Sequence, residues 1–253
     1  MLRRTFCLSA LLVIILGVSA ASCPAITKEF NQSYPLQAGG AFELQNVNGT
    51  VDVQGWDRDT IEIHAVKTAK NKESDLDLVS IDVDARSSAV SVATRYPQNE
   101  GVEVMVEYRV RVPRAAHVEH LGTVNGTLRV SGVERVEELR TVNGNIEVYD
   151  GGGSVHARTT NGNIHLELLR VQDKAGALAE TTNGSVVLAV PTDTQADLEA
   201  RCMNGNFSSE LPVVFESQLR PREMHGKLGN GGAPIRLRTV NGGIRLVALR
   251  STV

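Results

Sequence analysis

The chain has 253 residues, enough for one large domain or two small ones, and a formal charge of −3. Removing an expected export signal takes away Arg3 and Arg4 and no acid, so the remainder carries −3 − 2 = −5. A mildly acidic chain has no electrostatic basis for gripping nucleic acid or an anionic membrane, and 4% aromatic residues with a single Trp, Trp56, are poor equipment for stacking sugars.

Arg3 and Arg4 precede a nearly unbroken apolar run, Leu8 to Val18, and then Ser19, Ala20, Ala21 and Ser22. This order of basic, apolar and small residues predicts a secretory signal over 1–22. Arg3-Arg4-Thr5-Phe6 also has a faint twin-arginine look, but the very apolar run favours ordinary secretion. Ala20-Ala21-Ser22-Cys23 resembles a bacterial lipobox, with Ala20 where Leu is usual. Cys23 is therefore the candidate lipidation site; the alternative is simple cleavage that leaves an ordinary thiol.

Residues 23–38 are polar, carry Pro35, and read as a tether or a first edge strand. An N-terminal β region is expected over 39–113. Phe42 and Leu44, Val51 and Val53, then Ile61 and Ile63 alternate with polar residues around Asn48-Gly49 and Gly55-Trp56-Asp57. Lys67 to Asp77 reads as a charged connection. Val79 to Ala85 and Val90 to Thr94 read as strands. Val102, Val104, Val106, Tyr108, Val110 and Val112 form the clearest alternation in the chain, ended by Pro113.

From residue 114 to 253 a phrase recurs. Thr141-Val142-Asn143-Gly144-Asn145-Ile146 returns around Asn161-Gly162, Asn183-Gly184 and Asn241-Gly242, with looser copies at Asn125-Gly126, Asn204-Gly205 and, earlier, Asn48-Gly49. The later glycines, 126, 144, 162, 184, 205 and 242, are spaced by 18, 18, 22, 21 and 37 residues, which is one unit with loop insertions. The insertions read as Gln172 to Gly176, Pro191 to Gln195 and Pro212 to Gly229. Asn-Gly is an ordinary hairpin signal, so an antiparallel sandwich is one solution. The preferred one is a solenoid, because a hairpin has no need to preserve the flanking Thr and Ile. In a solenoid Thr141, Thr159, Thr181, Cys202 and Thr239 stack in that order, as do the five corner Asn residues from Asn143 to Asn241. Cys202 then stands where the other copies have Thr, as a buried free thiol. The expected class is all-β: an antiparallel N-terminal sheet running into a right-handed β-solenoid-like repeat, with one continuous domain over 39–250 as an alternative division.

Val47-Asn48-Gly49-Thr50-Val51 with Gly55-Trp56-Asp57, then Tyr108-Arg109-Val110-Arg111-Val112-Pro113 before Thr123-Val124-Asn125-Gly126, then Gly226 to Gly232 before Thr239-Val240-Asn241-Gly242, occur in a specific order. In that order they resemble the bacterial putative-adhesin family, domain of unknown function 4097, over nearly all of 37–248. The resemblance implies an all-β coil-like repeat in an exported protein and brings no catalytic residues.

The search for chemistry returns little. His64, His117, His120, His156, His165 and His225 lack metal-ligand spacing. Asp57 and Asp59, and Asp75, Asp77, Asp82 and Asp84, lack the register of a calcium loop. Asp150 before three glycines has no following helix or Lys to make a phosphate loop. No Gly-x-Ser-x-Gly elbow occurs. Glu147, Glu167, Arg129 and Arg245 are expected on an outer face. The expectation is an exported, non-enzymatic envelope or cell-surface protein with no cofactor or metal. Its partner would be an envelope protein or surface ligand, or a second copy, and membrane contact would come only through Cys23. The alternatives are a glycan-active solenoid enzyme, with acids converging near Pro212–Gly229, and a module that takes a peptide strand at a sheet edge.

Overall fold

Apolar residues at alternate positions give each strand one apolar face, which demands a second sheet to cover it. A computed structural model describes residues 26–97, 101–171, 176–220 and 222–249, with backbone alone at 216–220. The expected signal and Cys23 lie outside the described residues. In chain order the strands are β1 (Ile26–Pro35), β2 (Ala41–Gln45), β3 (Val51–Trp56), β4 (Thr60–Ala69), β5 (Ser80–Arg86), β6 (Ala89–Arg95) and β7 (Val104–Pro113). Then come β8 (His117–Gly122), β9 (Leu128–Ser131), β10 (Arg135–Arg140), β11 (Ile146–Gly151), β12 (Val155–Asn161), β13 (Ile164–Leu168) and β14 (Ala177–Asn183). The last are β15 (Val186–Val190), β16 (Ala196–Asn204), β17 (Phe207–Ser209), β18 (Val213–Arg220), β19 (Glu223–Leu228), β20 (Ala233–Asn241) and β21 (Ile244–Ala248). One helical turn, α1 (Asp75–Leu78), follows β4.

Two sheets face each other across one core. The first, sheet A, has ten strands in the order β1-β4-β7-β3-β9-β11-β13-β15-β21-β17. Sheet B has eleven, β18-β19-β16-β20-β14-β12-β10-β8-β2-β6-β5. A coil is one strand of sheet B followed by one of sheet A, and successive coils pair in parallel, in register. The architecture is thus a solenoid, and it already includes the N-terminal copy: β2 and β3 form a coil that pairs in parallel with β8 and β9. Antiparallel pairing is confined to the ends, where β1, β4 and β5 close one side and β18–β19 the other.

Three expectations need correction. The first is the stacking order. Thr181 pairs with Thr239, and Thr239 with Cys202, so the β20/β21 coil lies between β14/β15 and β16/β17. The residues of Pro212 to Gly229 supply β18 and β19, which pair antiparallel beyond β16 and send the chain back inside it. The N-terminal end repeats the device: β6/β7 follows β2/β3 in sequence but stacks outside it. Second, of the two readings of 23–38, the first edge strand holds over the described part and the tether does not. Ile26–Pro35 pairs with all of β4, and Leu36 is fully buried. Third, β4 runs through Lys67, which points inward. Its Nζ donates to the carbonyls of Leu76 at 2.5 Å and Val79 at 2.8 Å, so the buried ammonium is satisfied by the backbone around α1. Burial holds the Lys67 pKa below its ordinary value.

The corner explains why the phrase recurs. A Cβ on Gly162 would stand 1.9 Å from the Gly144 carbonyl oxygen, and one on Gly144 would stand 2.0 Å from that of Gly126. The same holds for Gly126 over Gly49, Gly184 over Gly162, Gly242 over Gly184 and Gly205 over Gly242. Glycine is therefore required here by close axial approach, and the turn conformation of a hairpin is a secondary matter. Each of those carbonyls accepts a hydrogen bond from the next coil: Thr141 Oγ1 to Gly126 at 3.0 Å, Thr159 to Gly144 at 3.0 Å, Thr181 to Gly162 at 2.9 Å and Thr239 to Gly184 at 2.8 Å. Cys202 Sγ takes the same place over Gly242 at 3.0 Å, and burial pushes its thiol pKa up. On the solvent side the seven corner Asn side chains form a continuous ladder, Nδ2 to Oδ1, at 2.7–2.8 Å. Inside, Leu128, Ile146, Ile164, Val186, Ile244 and Phe207 form one apolar column.

Gly162→Ala should lower stability by about 2–3 kcal/mol, because the obstacle is backbone that cannot swing aside, whereas Thr159→Val should cost only about 1 kcal/mol for its single hydrogen bond. Gly101→Ala, which would meet nothing within 4 Å, is the control. Urea denaturation measures all three; a Gly162→Ala chain as stable as the control would contradict the corner geometry.

Candidate functional site

With the inward residues consumed by packing, function falls to the outer faces and to the excursions that cap the ends. On sheet B the outward rows read across the coils. One runs Arg140, Arg158, Glu180, Arg238, Arg201 and Glu223. Within it Glu180 accepts from Arg158 at 2.7 Å and Arg238 at 3.2 Å. Arg238 also donates to Glu199 at 2.8 Å, and Glu223 is held by Arg201 at 2.6 Å. The neighbouring row carries His120, Glu138 and His156, with His120 Nδ1 3.0 Å from Glu138; His117 lies between Glu119 and Glu137.

The groove sought for glycan chemistry exists in outline. It encloses about 200 Å³ beside β19 and is lined by Asp197, Glu199, His225, Pro234 and Arg236, among others. Of its carboxylates, Glu199 has the wrong electrostatics for a general acid. The Arg238 hydrogen bond, with the charges of Arg238 and Arg236, holds Glu199 below its ordinary value of 4.5, whereas a catalytic acid needs its pKa raised. The Arg201 hydrogen bond lowers Glu223 in the same way.

On sheet A the four residues expected on an outer face are there. Arg129 and Glu147 pair across adjacent strands at 2.9 Å, His165 meets Glu167 at 2.9 Å, and Arg245 is exposed. Four of the six Asp residues weighed for calcium are spread over separate partners: Asp57 with Arg114, Asp77 with Lys28, Asp82 with Arg95 and Asp84 with Arg86. His64 contacts Asn31, and His225 lies 3.4 Å from Glu223. The corner residues, Asn48 through Gly242, form the structural ridge described above. Asn46, three residues before Gly49, was not singled out from sequence. It occupies the Thr place of the first coil and donates through Nδ2 to the Val106 carbonyl at 2.8 Å. Counting back from the glycine would have found it.

A family model described as Toastrack DUF4097 matches residues 40–247. The chain belongs to the Toastrack family. Its limits coincide with the stacked coils, from just before β2 to the end of β21. Similar solved structures include a putative cell adhesion protein from Clostridium sporogenes, with 10% identity, TM-score 0.48, and 88% of this chain against 100% of that one. A putative adhesin from Bacteroides fragilis also has 10% identity, with TM-score 0.36 and coverage of 88% and 97%. A putative lipid binding protein from Parabacteroides distasonis has 8% identity, TM-score 0.28 and the same coverage. At these values the likeness carries no argument about what this Toastrack chain binds. No curated protein matches it.

The pH dependence of stability should report the sheet B network. A carboxyl with a depressed folded pKa stabilises above its unfolded value, near 4.5, and loses that contribution as pH falls through the folded value. Glu199→Gln should therefore melt below wild type at pH 7 and approach it in the acid range below 4.5. A melting difference independent of pH would contradict the assignment.

Proposed function

We propose that this Toastrack chain is an exported, non-enzymatic interaction scaffold of the bacterial envelope, anchored by lipid at Cys23. The observation that carries the reading is the continuity of the outward rows. Parallel coils repeat a side-chain position at the strand spacing of about 4.8 Å, so sheet B offers long, regular tracks of charge. The Arg140–Glu223 row is such a track, with four Arg to two Glu. An extended acidic segment of an envelope component is the partner it suits. The export signal and the lipobox-like Ala20-Ala21-Ser22-Cys23 support the location. The groove at Asp197 and Glu199 is what favours the glycan-active alternative, and the low pKa of Glu199 weighs against it.

Two measurements separate the parts of this proposal. In cell fractionation the wild-type chain should sediment with membranes and Cys23→Ser should become soluble; wild type found soluble in the periplasm removes the anchor. Purified chain should bind washed envelopes saturably. The double variant Arg140→Glu and Arg158→Glu should bind at least tenfold more weakly, about 1.4 kcal/mol. Undiminished binding by a folded double variant would refute the track.

A further inference from the structure

We infer that the cleft on the outer face of sheet A, over β4, β7 and β3, binds the α-amino-acid group of a small zwitterion, its carboxylate on Arg109 and its ammonium on Asp52. This does not depend on the scaffold reading, which concerns the other sheet.

The cleft encloses about 300 Å³ and is lined by Asp52, Gln54, Glu62, His64, Arg109 and Arg111, with Val110. Register builds it. One row runs Asn31, His64, Arg109, Asp52, Arg129 and Glu147 across six strands; the next runs Ser33, Glu62, Arg111 and Gln54. Nearly every charged or ring group along these rows already has a partner. His64 Nδ1 contacts Asn31 Oδ1. Arg111 lies 3.6 Å from Glu62 and 5.8 Å from the centre of the Trp56 ring. Arg129, which faces Asp52 in register, bonds Glu147 at 2.9 Å and feels the Asp52 charge only as a lesser influence.

Two groups are left over at the centre, and they are neighbours. Among the described residues Arg109 has no hydrogen bond or ion pair. Asp52 Oδ1 is buried and has no hydrogen-bond partner. Side by side in register, the two make no direct ion pair. A buried carboxylate oxygen without a donor is a cost that native structures avoid unless something supplies the donor.

The leftover pair selects the ligand by charge. A bare anion would gain Arg109 and meet Asp52 and Glu62. A bare cation would gain Asp52 and meet Arg109 and Arg111. A carboxylate and an ammonium on one carbon satisfy both at once, each through a charge-assisted hydrogen bond. Adjacent strands set the two side chains about 4.8 Å apart at the backbone, a separation that a group of that size can bridge. The same chemistry is offered by a free amino acid and by an amino-acid end carried on a larger molecule. The open side of the cleft, which continues over Asn31, Gln32 and Ser33, leaves room for either.

The test is calorimetric or NMR titration of the purified chain with defined probes. L-alanine or D-alanine should bind saturably. N-acetyl-L-alanine, which lacks the ammonium, and L-alanine amide, which lacks the carboxylate, should each bind at least tenfold more weakly. Arg109→Ala and Asp52→Asn should each weaken alanine at least tenfold, and the amide resonances that move should be those of β3, β4 and β7. Arg86→Ala, on the other sheet, should bind as wild type does. Nε-acetyl-L-lysine separates the sources: binding tighter than alanine assigns the amino-acid end of a larger molecule, and weaker binding assigns the free amino acid. Should alanine show no saturation up to about 50 mM, well above a Kd of about 1 mM, the inference is overturned. It is overturned equally if either half-group analogue matches alanine, if folded Arg109→Ala retains full affinity, or if methyl α-glucoside occupies the cleft where alanine does not.

Discussion

Everything in this molecule depends on how closely one coil can sit on the next at the corner. A glycine there lets the carbonyl of the preceding coil approach to a position that a Cβ would occupy. Approach at that distance presents the carbonyl to the Thr hydroxyl of the following coil and aligns the Asn amides into a ladder. Close stacking also sets the strands in register, and register determines which outward side chains become neighbours. The apolar columns, the ion-pair rows on sheet B and the cleft on sheet A are all consequences of the same contact.

A stack of this kind leaves raw edges at both ends, where unpaired backbone groups invite association. The chain manages them by folding back. At each end a coil is laid outermost, an antiparallel excursion covers part of its edge, and the chain returns to the interior of the stack. At the N-terminal end the cover is β1 and β4 on sheet A and β5 on sheet B. At the other end it is β18–β19 on sheet B alone, and sheet A finishes on the three residues of β17. The inverted order is thus an edge-capping device, and it explains why the repeat spacing stretches to 37 residues before the final glycine.

Much of the coil was readable because a repeat compares the sequence with itself. The Thr, Asn and Ile columns, and Cys202 as a stand-in for Thr, follow from alignment on the glycines. Stacking order does not, because each copy fits above any other: only the long-range pairing of β18–β19 decides it. Asn46 escaped notice because an amide was doing the work of a hydroxyl. Lys67 reads in the sequence as the start of a charged connection because its acceptors are backbone carbonyls, which no residue type announces. The Asp52–Arg109 cleft draws on β3, β4 and β7, and it appears only once the strand order is known. The reason for the corner glycine is likewise hidden from the sequence: Asn-Gly signals a turn, while the stronger demand here comes from the next coil.

The inverted order at the C-terminal end is the claim most open to direct attack, and the native thiol at position 202 provides the probe. Cys202 faces Thr239 in register on adjacent parallel strands, while Thr181 lies one coil further away. Strand neighbours about 4.8 Å apart fall within the Cα range a disulfide can span, and next-but-one neighbours do not. With the other two of the chain's three cysteines, Cys7 and Cys23, replaced by Ser, mild oxidation of Thr239→Cys and Thr181→Cys variants, read by mass spectrometry of the cross-linked peptides, decides the order. The account predicts a bond from position 202 to position 239 and none to position 181. Efficient cross-linking of 202 to 181 would contradict it and restore a stack in simple chain order.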